Sequence, residues 1–120
     1  MQRELRLRLR KQFSYVYHRG TRASNNEMTL VAARGNRVQV GFSLSKKVGN
    51  AVERNRVKRR LREIVRALAS KIRPGCYVVV ARESAKEADF AKLSAGLYHL
   101  FDRQKCLTTS QRLPPKGKAQ

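Results

Sequence analysis

Acidic residues are the scarce component of this 120-residue chain, with eight Asp and Glu against 28 Lys and Arg. Tryptophan is absent, proline occurs three times and cysteine twice. Each shortage excludes something. The acids are too few and too scattered to hold the paired ions of a metal-assisted phosphodiesterase. Their densest group, Glu83, Glu87 and Asp89, falls where a helix should start, and capping or dipole complementarity accounts for it. Cys76 and Cys106 form no CxxC pair, and His18 and His99 lack ligand spacing. Neither a disulfide framework nor a zinc site is therefore expected, and the compartment reads as a reducing cytoplasm. No apolar run approaches the ~20 residues that a membrane-spanning helix requires, so no membrane association is expected. The basic opening MQRELRLRLRK lacks the apolar stretch of a signal peptide. Ser, His and Asp show no elbow or triad pattern, so no catalytic residue is assigned to the chain itself.

What the chain has instead is positive charge, formally +20 with a pI near 11.4. Such a balance says nothing about fold but implies a polyanionic partner, and nucleic acid is the first choice. The hydrophobic share, 41%, is that of an ordinary globular domain. At this length one domain is expected, over residues 1–103, with 1–8 flexible and 104–120 a disordered basic tail carrying Pro114-Pro115.

Leu9, Phe13, Val16 and Tyr17 form a helical stripe, and Gly20 is a stop. Met28–Ala33 is a short apolar run, and Val38–Leu44 alternates with period two. The intervening Arg34-Gly35-Asn36-Arg37 predicts a β-hairpin. Tyr77–Ala81 is apolar on both faces and reads as a central strand. A last helix from Ser84 should bury Phe90, Leu93, Leu97, Leu100 and Phe101. Helices mixed with strands predict an α/β two-layer sandwich with a small mixed sheet. The strands before and after the long middle helix form a crossover if they pair in parallel.

That middle helix carries the argument. From Lys46 to Arg66 there are nine Lys and Arg against two acids, Glu53 and Glu63. A solvated helix ordinarily mixes signs to gain i,i+4 pairs. Asn50 and Glu53 have capping-box spacing, and Val57, Leu61, Ile64, Val65, Leu68 and Ile72 form the inward stripe. Asn55, Arg59, Arg62 and Arg66 project away from it, Lys58 and Arg60 flank it, and Arg54 lies close to it. Arginine forks suit phosphate oxygens, and the helix N-terminus adds N–H donors. A DNA-reading basic region would run on into leucine heptads, but Pro74-Gly75 end this helix. A ribosomal-type structural RNA-binding protein remains the alternative on composition. Phe13 and Tyr17, one turn apart, read as core from spacing alone, and as a stacking pair if they border the basic surface.

The stretch Ser45-Lys-Lys-Val-Gly-Asn-Ala-Val-Glu-Arg-Asn-Arg-Val-Lys-Arg-Arg-Leu-Arg-Glu resembles the signature of the bacterial ribonuclease P protein subunit, whose hallmark is the RNR run, here Arg54-Asn55-Arg56. Leu7 to Gly20 is similar to the family's opening pattern, and YVVVARESA and LYHLF to its last strand and helix. The resemblance covers residues 5–103 and implies four strands, three helices and a left-handed βαβ crossover. It implies an accessory subunit of an endoribonuclease that removes the 5′ leader of precursor tRNA, with catalysis and its Mg2+ in a partner RNA. The partners would be that catalytic RNA and precursor tRNA, in a 1:1 complex with a monomeric, cytoplasmic protein that binds no cofactor itself. Carried over by position, Lys46, Lys47, Asn50, Arg54, Asn55, Arg56, Lys58, Arg59 and Arg62 would contact RNA. Phe13, Tyr17 and Val31 would line a cleft for the single-stranded leader. Gln12 stands where the family usually has an acid, and Val31 where it has a cleft aromatic.

Overall fold

The structure, a computed structural model, describes residues 6, 7 and 9–108. Its elements are α1 (Arg10–Arg19), β1 (Thr21–Ser24), β2 (Met28–Ala33), β3 (Val38–Ser43), α2 (Ala51–Leu68), β4 (Gly75–Ala81) and α3 (Phe90–Arg103). Short 3-10 turns at Lys46–Val48, Ala69–Lys71 and Glu83–Lys86 complete the connections. The expected mixed sheet of four strands with three helices is present.

The strand order is β1-β2-β4-β3. The predicted hairpin of Met28–Ala33 with Val38–Leu44 does not form, because β4 lies between those strands. It pairs antiparallel with β2 and parallel with β3. The reason is hydrophobic: Cys76, Val78 and Val80 face one way and Tyr77, Val79 and Ala81 the other, so β4 gains most where both faces are covered. The Arg34–Arg37 turn therefore steps over a strand, tied by Gly75 N–H donating to Arg37 O at 3.1 Å. The parallel β3–α2–β4 crossover follows. β1 went unread because Thr21–Ser24 has one inward apolar residue, Ala23. Its hairpin with β2 is set by Asn25, whose Oδ1 accepts from the N–H groups of Glu27 and Met28, both at 2.9 Å.

Alternation along the strands divides the core. Met28, Leu30, Tyr77 and Val79 point toward α2 and α3 and join the larger cluster with Val57, Leu61, Ile64, Leu93, Leu97 and Phe101. Val31 and Val78 point the other way, toward α1, and pack with Leu7 and Val16.

Four expectations shift. Arg6 and Leu7, assigned to a flexible segment, are placed: Leu7 is buried and its N–H donates to Val40 O at 3.1 Å. The rest of that segment lies outside the described residues. The folded part extends past Arg103, because Leu107 is buried and bridges to Ile72, and Gln104 Nε2 donates to Leu30 O at 2.9 Å. The tail from residue 109 onward lies outside the described residues. Leu9 is an exposed N-cap, not a core residue. The last helix starts at Phe90 with Asp89 as N-cap, not at Ser84, and Phe90 is 46% exposed. As the first residue of α3 it lies against the outer rim of α2 beside Arg59, Arg60 and Glu63, not beneath it.

Candidate nucleic-acid interface

The start of α2 is held rigidly. Asn50 Oδ1 accepts from Glu53 N–H and Glu53 Oε1 accepts from Asn50 N–H, each at 2.9 Å, a complete capping box. Gly49 has φ +152°, and a Cβ there would stand 2.5 Å from Glu53 Oε1, so only glycine admits the carboxylate. Ser45 caps the 3-10 turn that carries Lys46 and Lys47, both exposed, while Val48 pins it to the core. The Lys-Lys-Val-Gly-Asn-Ala-Val-Glu motif is thus first a device for aiming α2. Asn50, a predicted RNA contact, has its side-chain oxygen committed to that cap.

The acids that survive near this helix are spent within the protein. Glu53 meets Lys86 at 3.7 Å and Glu63 meets Arg66 at 2.8 Å. The Glu63 contact holds the Arg66 guanidinium pKa above its ordinary value. Arg60 Nη1 donates to Ala88 O at 3.2 Å and tethers α2 to the segment just ahead of α3. Among the described residues, Lys46, Lys47, Arg54, Arg56, Lys58, Arg59 and Arg62 have no acidic partner. A one-signed surface of this kind is maintained against its own repulsion and suits a polyanion.

The structure splits this basic set. Arg56 and Arg59 are exposed on the outer side of α2. Arg54, Asn55 and Lys58 border a groove of about 260 Å³ against Phe42 of β3 and Leu44 just beyond its end. Phe42 and Lys58 also line the next groove, about 310 Å³, together with Phe13, Gly41 and Arg62. The basic flank of α2 therefore runs directly into the surface that α1 partly covers. Arg62 is half-buried, and its Nε is sealed from solvent without a hydrogen-bond partner among the described residues.

Gly41 is the residue that sequence reasoning missed. A Cβ there would lie 2.5 Å from Phe13 Cζ, so the Phe13 ring rests directly on the β3 backbone. The signal was available, since a glycine interrupting an alternating strand marks a close approach. At the other end of α1, Gly20 allows the helix to close on Val31, whose Cγ1 would be 2.7 Å from a Cβ. Val31 is consequently 0% exposed. Its assignment as a leader contact is corrected: it is the floor beneath α1 and offers no surface to a ligand.

Phe13 and Tyr17 are both half-buried against the small cluster. The Arg22 guanidinium sits over the Tyr17 ring, 5.7 Å from its centroid. Aromatic faces bordered by arginine and lysine are suited to unpaired bases and their phosphates. Gln12 keeps the helix-capping role that an acid would fill, its Oε1 accepting from Leu9 N–H at 2.9 Å without adding negative charge.

Among the described residues no three His, Cys, Asp or Glu converge as metal ligands, and no helix is long and apolar enough to cross a membrane.

Comparison with known proteins follows the same lines. A family model described as Ribonuclease P matches residues 1–105. The ribonuclease P protein component of Symbiobacterium thermophilum is 39% identical over 107 residues, spanning 86% of this chain and 93% of that protein. That of an Exiguobacterium species is 36% identical over 107 residues, spanning 88% and 94%. The solved RNase P protein of Staphylococcus aureus at 2.0 Å superposes with a TM-score of 0.80 at 28% identity, over 85% of this chain and 96% of that one. The RNase P protein of Thermotoga maritima gives 0.74 at 30% identity, over 82% and 96%.

Proposed function

This chain belongs to the ribonuclease P protein family and is a ribonuclease P protein component with an RNA partner, and from that premise we propose how its surfaces divide the work. The outer side of α2, with Arg56 and Arg59, docks on the catalytic RNA. The inner flank, Arg54, Asn55, Lys58 and Arg62, continues into the groove under α1 and guides the 5′ leader of precursor tRNA past Phe13 and Tyr17. Lys46 and Lys47 extend the basic surface ahead of the helix. The RNA supplies the active site and its Mg2+; among the described residues no three His, Cys, Asp or Glu converge to hold a metal. One protein serves one RNA, in the cytoplasm, where precursor tRNA is made.

The observation that carries this reading is the continuity of the two grooves. Unpaired cations on α2 and an aromatic ring laid on Gly41 border one path. A path that offers cations and an aromatic face in series suits a single strand, since phosphates neutralise the cations and bases stack on rings. Nothing in the structure favours the ribosomal-type alternative.

The test is precursor-tRNA cleavage by the cognate RNA at low magnesium, with and without this protein. The protein should raise the rate strongly there and cleave nothing alone. Correct cleavage by RNA-free protein, abolished by changing a carboxylate, would overturn the division of labour.

A further inference from the structure

On the flank of α1 opposite Tyr17 the molecule carries a second basic depression, about 990 Å³, lined by Tyr15, Arg34, Arg37, Gln39, Pro74 and Cys76. Its size lies in the range of ~300–1,000 Å³ usual for ligand sites. Tyr15 and Tyr17 are two residues apart, about 200° around the helix, so the two rings face opposite ways. The depression is therefore separate from the groove under Phe13.

Three observations make it a built site. Tyr15 is 41% exposed, and its hydroxyl donates to Arg34 O at 2.9 Å, so the ring is held with one edge fixed and its body open. The turn bearing both arginines is tied at its other end, where Arg37 O accepts from Gly75 N–H at 3.1 Å. Gly35 passes so close to β4 that a Cβ would fall 2.9 Å from Cys76 Sγ, which keeps the turn low over the sheet end. Among the described residues no acid lines the depression, and neither Arg34 nor Arg37 has an acidic partner.

A fixed aromatic face, two unpaired guanidinium groups and a side-chain amide are the complement of one unpaired nucleotide with its flanking phosphates. We propose that this depression is a second single-stranded RNA subsite, with a base stacked on Tyr15, phosphates on Arg34 and Arg37, and Gln39 at the base edge. It rests on the reading of this chain as an RNA-binding protein, and it extends the RNA footprint across α1 to the opposite flank.

Cys76 in the wall provides a readout that activity does not. Burial pushes its thiol pKa up, so maleimide labelling is run at alkaline pH, with peptide mapping to separate Cys76 from Cys106. Two RNAs are compared, a single-stranded leader-length oligonucleotide and the cognate catalytic RNA without substrate. Protection of Cys76 by the oligonucleotide assigns the subsite to the leader, and protection by the catalytic RNA alone assigns it to that partner. Either result supports the site. In the supporting case Arg34→Ala with Arg37→Ala abolishes protection and flattens the log–log salt dependence of binding by about 1.4 units for a single strand. Tyr15→Ala weakens the same binding roughly 5- to 150-fold, while Tyr15→Phe retains most of it. Bound RNA with Cys76 labelled at the free rate overturns the subsite and leaves the α2 interface standing. Failure of wild-type protein to bind either RNA would instead remove the RNA reading beneath it.

Discussion

The two faces of the sheet are covered very unequally. Among the described residues, twenty buried ones form one cluster under α2 and α3, whereas under α1 only Leu7, Val16, Val31 and Val78 are buried. The sealed face holds the large side chains, Phe101, Met28, Leu61, Leu93 and Leu97, at almost no exposure. The other face leaves Phe13 and Tyr17 half-covered and bordered by cations. Stability is concentrated on the sealed face, and that leaves the second face free to carry half-exposed apolar rings without risking the fold. A domain this small has room for only one such division.

The sharpest way to break the comparison is to cut the sealed face. Leu97→Ala should destabilise the protein by ~2–5 kcal/mol, the range for a large buried aliphatic truncated to Ala. A thermal or denaturant melt checks this, and a loss below about 1 kcal/mol would mean the face is less tightly closed than described. Phe13→Ala tests the open face with the opposite signature. Precursor binding should weaken by ~1–3 kcal/mol, the worth of a base–aromatic contact, with mature tRNA binding little changed. If the melt collapses instead, or both RNAs lose equally, Phe13 is core and the contrast between faces fails.

Smaller effects come from the helix rim. Replacing Arg56 and Arg59 together with Ala should flatten the salt dependence of assembly with the catalytic RNA by about 1.5 log–log units. The fold should persist, since both side chains are exposed. An unchanged slope with an intact melt would make α2 a charged face without a partner. The smallest effect at neutral pH belongs to Tyr77. Its hydroxyl donates to Arg73 O at 2.6 Å, and burial raises its pKa well above the ordinary phenol value of 10.0. Because the folded value is the higher one, the stabilisation from this phenol is complete below the ordinary value and is lost as pH climbs through the folded one. The stability gap between wild type and Tyr77→Phe should therefore be constant near neutral pH and shift against the wild type as pH rises above the ordinary phenol value. Melts showing a gap that does not change with pH would show that the linkage is absent.

What could be read in advance follows the distance over which the physics acts. The capping box of Asn50 and Glu53 and the stripe from Val57 to Val65 depend on neighbours within two turns, and both stand as expected. The helix itself ends at Leu68, ahead of Ile72 and of the expected stop at Pro74-Gly75. The sheet order depends on contacts between residues some forty apart, such as Val40 with Tyr77, and local turn chemistry at Gly35-Asn36 pointed to the wrong pairing. Phe90 illustrates the intermediate case: its spacing to Leu93 and Leu97 suited a core stripe, but the phase says nothing about where the covering helix ends. The basic character of the site was visible in the charge count. The meeting of Lys58 and Arg62 with Phe13 over Gly41 was not, because it joins three segments through tertiary packing alone.

The position of β4 has a consequence in time. It is the last strand to be synthesised and the central one in the sheet, between β2 and β3. Until residues 75–81 emerge, β3 has no strand to pair with, and the β1–β2 hairpin stands alone, a unit that is marginal in water. Neither half can close early on the other. The protein should therefore acquire its sheet in one late step, slowed by the long-range closure that this step demands. Ribosome-bound chains ending at residue 74 should remain protease-sensitive throughout, and those that expose residue 108 should become resistant as a unit. Protection appearing in the shorter chains would show that the sheet assembles piecemeal. A highly basic chain held open that long should expose its charge to RNA before the sheet has closed.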